Sequence, residues 1–114
     1  MRSFEVASRF WDAKPCKNGY VGRGVRDRVV VEGEVVKYIL WGSEIANLNR
    51  ENSTLIVDDC GWQTCLTMDR LNNILSHIKM NVYSDRNKLY LRDWEKCEPY
   101  IWEGTHTIHL DTRK

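Results

Sequence analysis

Two β-branched runs, Val29-Val30-Val31 and Val35-Val36, face each other across Glu32-Gly33-Glu34. Val is stiff at χ1 and packs well on a pleated surface, while Gly33 supplies a backbone conformation that other residues resist. This pairing predicts a β-hairpin, and a hairpin needs further strands before it is stable. The following residues provide them. The second arm continues through Tyr38, Ile39, Leu40 and Trp41, and Gly42-Ser43 makes a bend. Glu44 to Leu48 reads as the next strand, with Ile45 and Asn47 on one face. Asn49 to Asn52 is a polar turn, and Thr54-Leu55-Ile56-Val57 is a further strand. The middle of the chain is therefore expected to be an antiparallel meander.

One helix stands out against this background. Leu71, Ile74, Leu75 and Ile78 recur at i, i+3, i+4 and i+7, which makes one apolar stripe. Thr67 is placed as its cap and Asp69 in its first turn, with Arg70, Asn72, Asn73 and His77 off the stripe. After it, Asn81-Val82-Tyr83 and Lys88 to Leu91 flank Ser84-Asp85-Arg86-Asn87, a second hairpin by turn chemistry. Thr105 to Leu110 alternates as a strand. Ser3 to Phe10 also reads as a strand, and the stretch from Asp12 to Gly24, with Pro15, Gly19 and Gly22, reads as a loop. The expected fold is α+β: a single antiparallel sheet of five to seven strands with one main helix, about residues 67–78, packed on one face. The ambiguous stretches 43–48 and 92–100 are where a second short helix would fall. At 114 residues the chain suits one domain, residues 1–114.

Composition excludes some functions. The net charge is +1, so no overall field draws the chain to nucleic acid or membrane. No apolar run approaches the roughly 18–20 residues that span a bilayer, and Met1 to Phe10 holds no signal-peptide core. A cytoplasmic location is the default expectation. Cys16, Cys60, Cys65 and Cys97 are expected as free thiols, with no cofactor and no metal.

Local charge is less even. Lys14, Lys17, Arg23, Arg26 and Arg28 stand against Asp27 alone, a balance of +4, with Tyr20 among them as a stacking platform. The opposite holds for Asp93, Glu95, Glu98 and Glu103 against Lys96, a balance of −3, interleaved with Trp94, Tyr100 and Trp102. The first stretch is a candidate nucleic-acid site, and the second a candidate protein-binding face, since Trp and Tyr dominate interface energetics. Each has a plain alternative: a solvated loop for the first, aromatics closing one end of the core for the second. The two patches are also able to neutralise each other, within one molecule or between copies.

The turn Asp58-Asp59-Cys60-Gly61-Trp62-Gln63-Thr64 carries two carboxylates and a thiol before a helix. A cysteine nucleophile needs a base, and His77, His106 and His109 are the histidines available, none placed there by spacing. The structural alternative asks only that Asp58 and Asp59 make turn bonds, Gly61 permit the bend and Trp62 anchor the helix. Cys60 and Cys65 are spaced as one zinc pair would be, but His106 and His109 are too close in sequence to complete it on a strand.

Three stretches carry a resemblance: Trp41-Gly42-Ser43-Glu44-Ile45-Ala46, Asp59-Cys60-Gly61-Trp62-Gln63-Thr64 and Thr67-Met68-Asp69-Arg70-Leu71-Asn72. A strand and polar turn precede a Thr-x-x-Thr-x-x-Arg-Leu-Asn helix start at Thr64, Thr67, Arg70, Leu71 and Asn72. Over residues 35–95 the chain resembles small bacteriophage accessory proteins. The resemblance implies a viral origin and a compact α+β fold, and brings no activity with it. By analogy such proteins act on host machinery, including defence systems. The leading expectation is therefore a phage accessory protein that binds a host protein, an anti-defence inhibitor being one form. A nucleic-acid-binding module and an enzyme centred on Cys60, Asp58 and Asp59 are the alternatives.

Overall fold

The structure, a computed structural model, describes residues 2–22 and 24–112. Among the described residues, nine strands and two α-helices follow in the order α1 (Ser3–Trp11), β1 (Cys16–Val21), β2 (Gly24–Glu32), β3 (Val35–Leu40), β4 (Ser43–Asn49), β5 (Thr54–Asp58), α2 (Cys65–Leu75), β6 (Met80–Asp85), β7 (Lys88–Asp93), β8 (Tyr100–Ile101) and β9 (Thr105–His109). The fold is α+β but mainly β. A six-stranded antiparallel sheet has the order β1-β2-β3-β4-β5-β9, and a second sheet has the order β6-β7-β8.

The meander is as expected. Val31 pairs with Val36 and Glu32 with Val35 around Gly33, whose φ is +62°. The inward row on β3 is Val36, Tyr38 and Leu40, all buried. It continues across the sheet through Val29 on β2, Ala46 and Leu48 on β4, Leu55 and Val57 on β5 and Ile108 on β9. One detail differs. The β3–β4 register shifts between Tyr38 and Ile39, so Ile45 is an extra residue and both Ile45 and Ala46 turn inward. The strict alternation of Ile45 with Asn47 does not hold there.

Four further expectations are corrected. Ser3–Trp11 is a helix, because Val6, Ala7 and Phe10 lie at i, i+1 and i+4 and are all fully buried, a helical spacing. The stretch from Asp12 to Gly24 is not a loop: Cys16–Val21 pairs with β2, with Lys17 opposite Arg28 and Asn18 opposite Asp27. The second short helix falls at neither 43–48, which is β4, nor 92–100, but at the N-terminal end. The single sheet becomes two, because the Arg86-Asn87 hairpin forms β6 and β7 apart from the meander.

Helix α2 begins earlier than expected. Thr64, not Thr67, is the cap: its hydroxyl accepts the Thr67 N–H at 3.2 Å. Leu71, Ile74 and Leu75 are fully buried as the stripe requires, and Ser76–Ile78 closes the helix as a 3-10 turn. Buried side chains of both helices and both sheets join in one cluster. Trp11 ties the helices together, its indole N–H donating to the Ile74 carbonyl at 2.9 Å.

Candidate functional site

Arg70 was expected on the polar side of α2, yet it is buried, and so is Asp27. Asp27 lies on the inward row of β2, opposite Leu40. Its Oδ1 accepts the Tyr38 hydroxyl at 2.7 Å and Arg70 Nε at 2.9 Å, and its Oδ2 accepts Arg26 Nε at 2.7 Å. Burial alone would raise the Asp27 carboxyl, but the bonds from Arg26, Arg70 and Tyr38 outweigh it and hold it below its usual range. Burial and the hydrogen bond to Asp27 both push the Tyr38 phenol up. Arg26 reaches this position across Gly19, where an added Cβ would sit 2.8 Å from its guanidinium carbon.

This network divides the basic candidates. Arg26 is spent on Asp27, and Arg23 lies outside the described residues. Lys14, Lys17 and Arg28 stay exposed, Lys17 and Arg28 directly opposite each other, and Tyr20 is 69% exposed. The acidic candidates divide too. Asp93 and Trp102 are buried, so they are not surface residues, whereas Trp94, Glu95, Glu98, Tyr100 and Glu103 are exposed. The basic strand β1 and the strand that follows the acidic segment, β9, lie at opposite edges of the larger sheet. Five strand spacings separate those edges, about 24 Å along the sheet.

The turn after β5 is built from inside. Asp59 is buried, its Oδ1 accepting the Gly61 N–H at 2.8 Å and its Oδ2 accepting Trp102 Nε1 at 2.8 Å. Asp58 accepts the Cys60 N–H at 2.7 Å. The Cys60 thiol donates to the Glu44 carbonyl at 3.2 Å. Burial raises its pKa, and Asp58, Asp59 and Glu44 raise it further, the reverse of what activates a nucleophile. The histidines are engaged elsewhere. His77 stacks on Trp11, and His106 packs at a tilt against Trp102, where its Nε2 accepts the Glu103 N–H at 3.0 Å. His109 pairs with Thr54, at the far end of β5 from Cys60. Among the described residues, no three His, Cys, Asp or Glu side chains converge as metal ligands.

What this turn positions instead is Trp62. Trp62 is 61% exposed. It stands beside a groove of about 530 Å³ lined by Leu40, Trp41, Ser43, Ile45, Thr64 and Leu66 together with Trp62 and Thr67, all uncharged. Trp41 is 50% exposed. It occupies the two-residue β3–β4 turn with φ +48°, ahead of Gly42 at φ +80°. Two positive φ values mark a type I′ turn, whose first position ordinarily takes Asn, Asp or Gly. A bulky residue there is a backbone outlier, and such outliers cluster at binding sites. In the sequence Trp41 reads as the end of a strand. The available signal was the two-residue turn in Leu40-Trp41-Gly42-Ser43, with an aromatic where Asn belongs.

The residues behind the phage resemblance are placed as well. Thr64 caps α2, Thr67 is buried against it, Arg70 enters the Asp27 network and Leu71 enters the core. Asn72 closes the free edge of β6: its Nδ2 donates to the Val82 carbonyl at 3.0 Å and its Oδ1 accepts the Val82 N–H at 2.6 Å. The amide thus stands in for a neighbouring strand. Among the described residues, no helix is long and apolar enough to cross a membrane. No curated protein and no solved structure matches the chain. A family model described as Kyanoviridae Gp96 protein matches residues 25–107, from β2 through most of β9 and including both tryptophan turns, so the chain belongs to this phage protein family.

Proposed function

We propose that this phage protein acts by binding a host protein in the host cytoplasm, with the Trp41–Trp62 groove as the seat of binding, and that an anti-defence inhibitor is the form this takes. The observation that carries the reading is the strained, half-exposed Trp41 facing an uncharged groove with Trp62 on its rim. Large exposed aromatics around an apolar groove fit the centre of a protein interface better than they fit solvent. The reading is one of binding and not of catalysis. Burial and the nearby carboxylates push the Cys60 thiol up, and Asp58 and Asp59 are used by the turn.

The test is crosslinked affinity purification from host lysate, with the parent and a Trp41→Ala/Trp62→Ala variant compared side by side. The expected result is a specific host protein recovered by the parent and lost from the variant. Equal recovery by both, or no specific protein at all, refutes the proposal. A second reading, nucleic-acid binding on β1 and β2, is favoured by Lys17 lying opposite Arg28 near the exposed Tyr20. It requires oligonucleotide affinity that falls in Lys17→Ala/Arg28→Ala.

A further inference from the structure

The smaller sheet has two faces with different chemistry. Met80, Val82 and Leu91 turn into the core. The registers of β6, β7 and β8 put the alternate residues on the opposite face in three rows: Asn81 beside Arg92, Tyr83 beside Tyr90 and Ile101, and Asp85 beside Lys88. Among the described residues, no helix covers these rows in the way α2 covers the inner face. Arg92, Lys88 and Asp85 are exposed, Ile101 is 70% exposed, and Tyr83 and Tyr90 are half-buried. The two tyrosine rings lie 5.5 Å apart and are nearly parallel. Trp94 joins the margin of the face, its indole N–H donating to Asn81 Oδ1 at 2.7 Å while the ring stays 58% exposed.

A cross-strand tyrosine pair stabilises a sheet by itself, and here it comes with cations at alternate positions on β7. Lys88 and Arg92 flank Tyr90 on β7, and Arg86 sits at the hairpin tip against the single carboxylate of Asp85. The carboxylates of Glu95, Glu98 and Glu103 belong to the segments on either side of β8, so the basic path runs along β7, from Arg86 at the hairpin tip through Lys88 to Arg92. Flat rings that accept any base, with cations spaced between them to meet phosphates, are the two parts of a sequence-tolerant single-strand platform.

We propose that the outer face of β6–β7 binds single-stranded nucleic acid, Tyr83 and Tyr90 stacking on bases and Lys88 and Arg92 meeting the backbone. This site is separate from the tryptophan groove, and from the β1–β2 candidate. The chemistry is common to RNA and DNA, so the test uses both. Fluorescence polarisation is read with labelled oligo-dT, oligo-U and a DNA duplex at low salt. The expected result is binding of one or both single strands and weak binding of the duplex.

Tyr90→Leu should weaken binding by at least about fivefold, the loss of one stacked base. Tyr90→Phe should not weaken it. Lys88→Ala/Arg92→Ala should flatten the slope of log affinity against log salt by about 1.4, two single-strand phosphate contacts. Arg50→Ala, an exposed cation at the β4–β5 turn, serves as the control and should leave affinity unchanged. A folded protein that binds no oligonucleotide overturns the proposal. So does affinity that follows Lys17 and Arg28 instead, duplex binding as tight as single-strand binding, or protection of Tyr83 and Tyr90 by a protein partner alone.

Discussion

Arg70→Met takes a cation away from a carboxylate that has no access to water. Asp27 is fully buried and Arg70 nearly so, and their contact is a 2.9 Å hydrogen bond within an ion pair. Methionine matches much of the arginine stem in volume, so packing changes little and the electrostatic loss dominates. Removing one partner of a buried pair costs about 3–5 kcal/mol. Here Asp27 keeps Tyr38 on one oxygen and the partly exposed Arg26 on the other, which puts the loss at the low end, about 3 kcal/mol. In a domain whose whole stability is about 5–15 kcal/mol, that lowers Tm by on the order of 10 °C.

The pH dependence follows from the direction of the Asp27 shift. Its folded pKa is depressed, so its contribution is present above the unfolded carboxylate value of about 3.9 and is lost as pH falls through the folded value. Without Arg70 the folded value rises, and acid unfolding moves to higher pH. Urea denaturation at neutral pH and an acid titration followed by circular dichroism measure both effects. A loss below about 1 kcal/mol, the behaviour of a surface pair, together with an unmoved acid transition, would refute the reasoning. Adding Asp27→Asn to Arg70→Met should recover part of the loss, because a neutral amide costs less to bury than a carboxylate without its arginine.

Two more predictions follow. Asn72→Leu strands the Val82 N–H and carbonyl at the edge of β6, and should cost about 1–3 kcal/mol in urea denaturation, with faster amide exchange at Val82 as the local signature. Trp41→Gly relieves a left-handed backbone strain of about 1 kcal/mol while losing a half-exposed ring, so stability should stay within about 1 kcal/mol of the parent even as partner binding is lost. A Trp41→Gly variant that unfolds readily would show that Trp41 serves the fold.

The parts of the fold that were legible are those where one local rule decides the outcome. Val29 to Val36 has a single good solution, and the stripe from Leu71 to Leu75 has a single period. Ser3 to Phe10 misled because Phe4, Val6 and Ser8 alternate as a strand would, while Val6 and Phe10 are spaced as a helix would need. Packing on α2 decided between them. The strand Cys16–Val21 was hidden by Gly19, beside which Arg26 passes, and by Gly22 and Gly24 just after it. Arg70 was hidden for a deeper reason. A charged residue is read as exposed until its partner is known, and Asp27 is 43 residues away. The surface candidates failed in the same way at Asp93 and Trp102, whose burial depends on contacts that no local window contains.

The Thr-x-x-Thr-x-x-Arg-Leu-Asn run that first suggested a phage protein now has a use for every named residue, and each use is structural: a cap, a buried hydroxyl, an ion pair, a core contact and an edge closure. A motif so occupied has little left to offer a partner. The spare chemistry lies where the fold is worse off for the residue it carries: an aromatic in a left-handed turn at Trp41 and a largely exposed tryptophan at Trp62. Asn or Gly would suit the first position and any polar residue the second. Stability alone does not select these two rings, which is the physical ground for assigning binding to them and not to the motif.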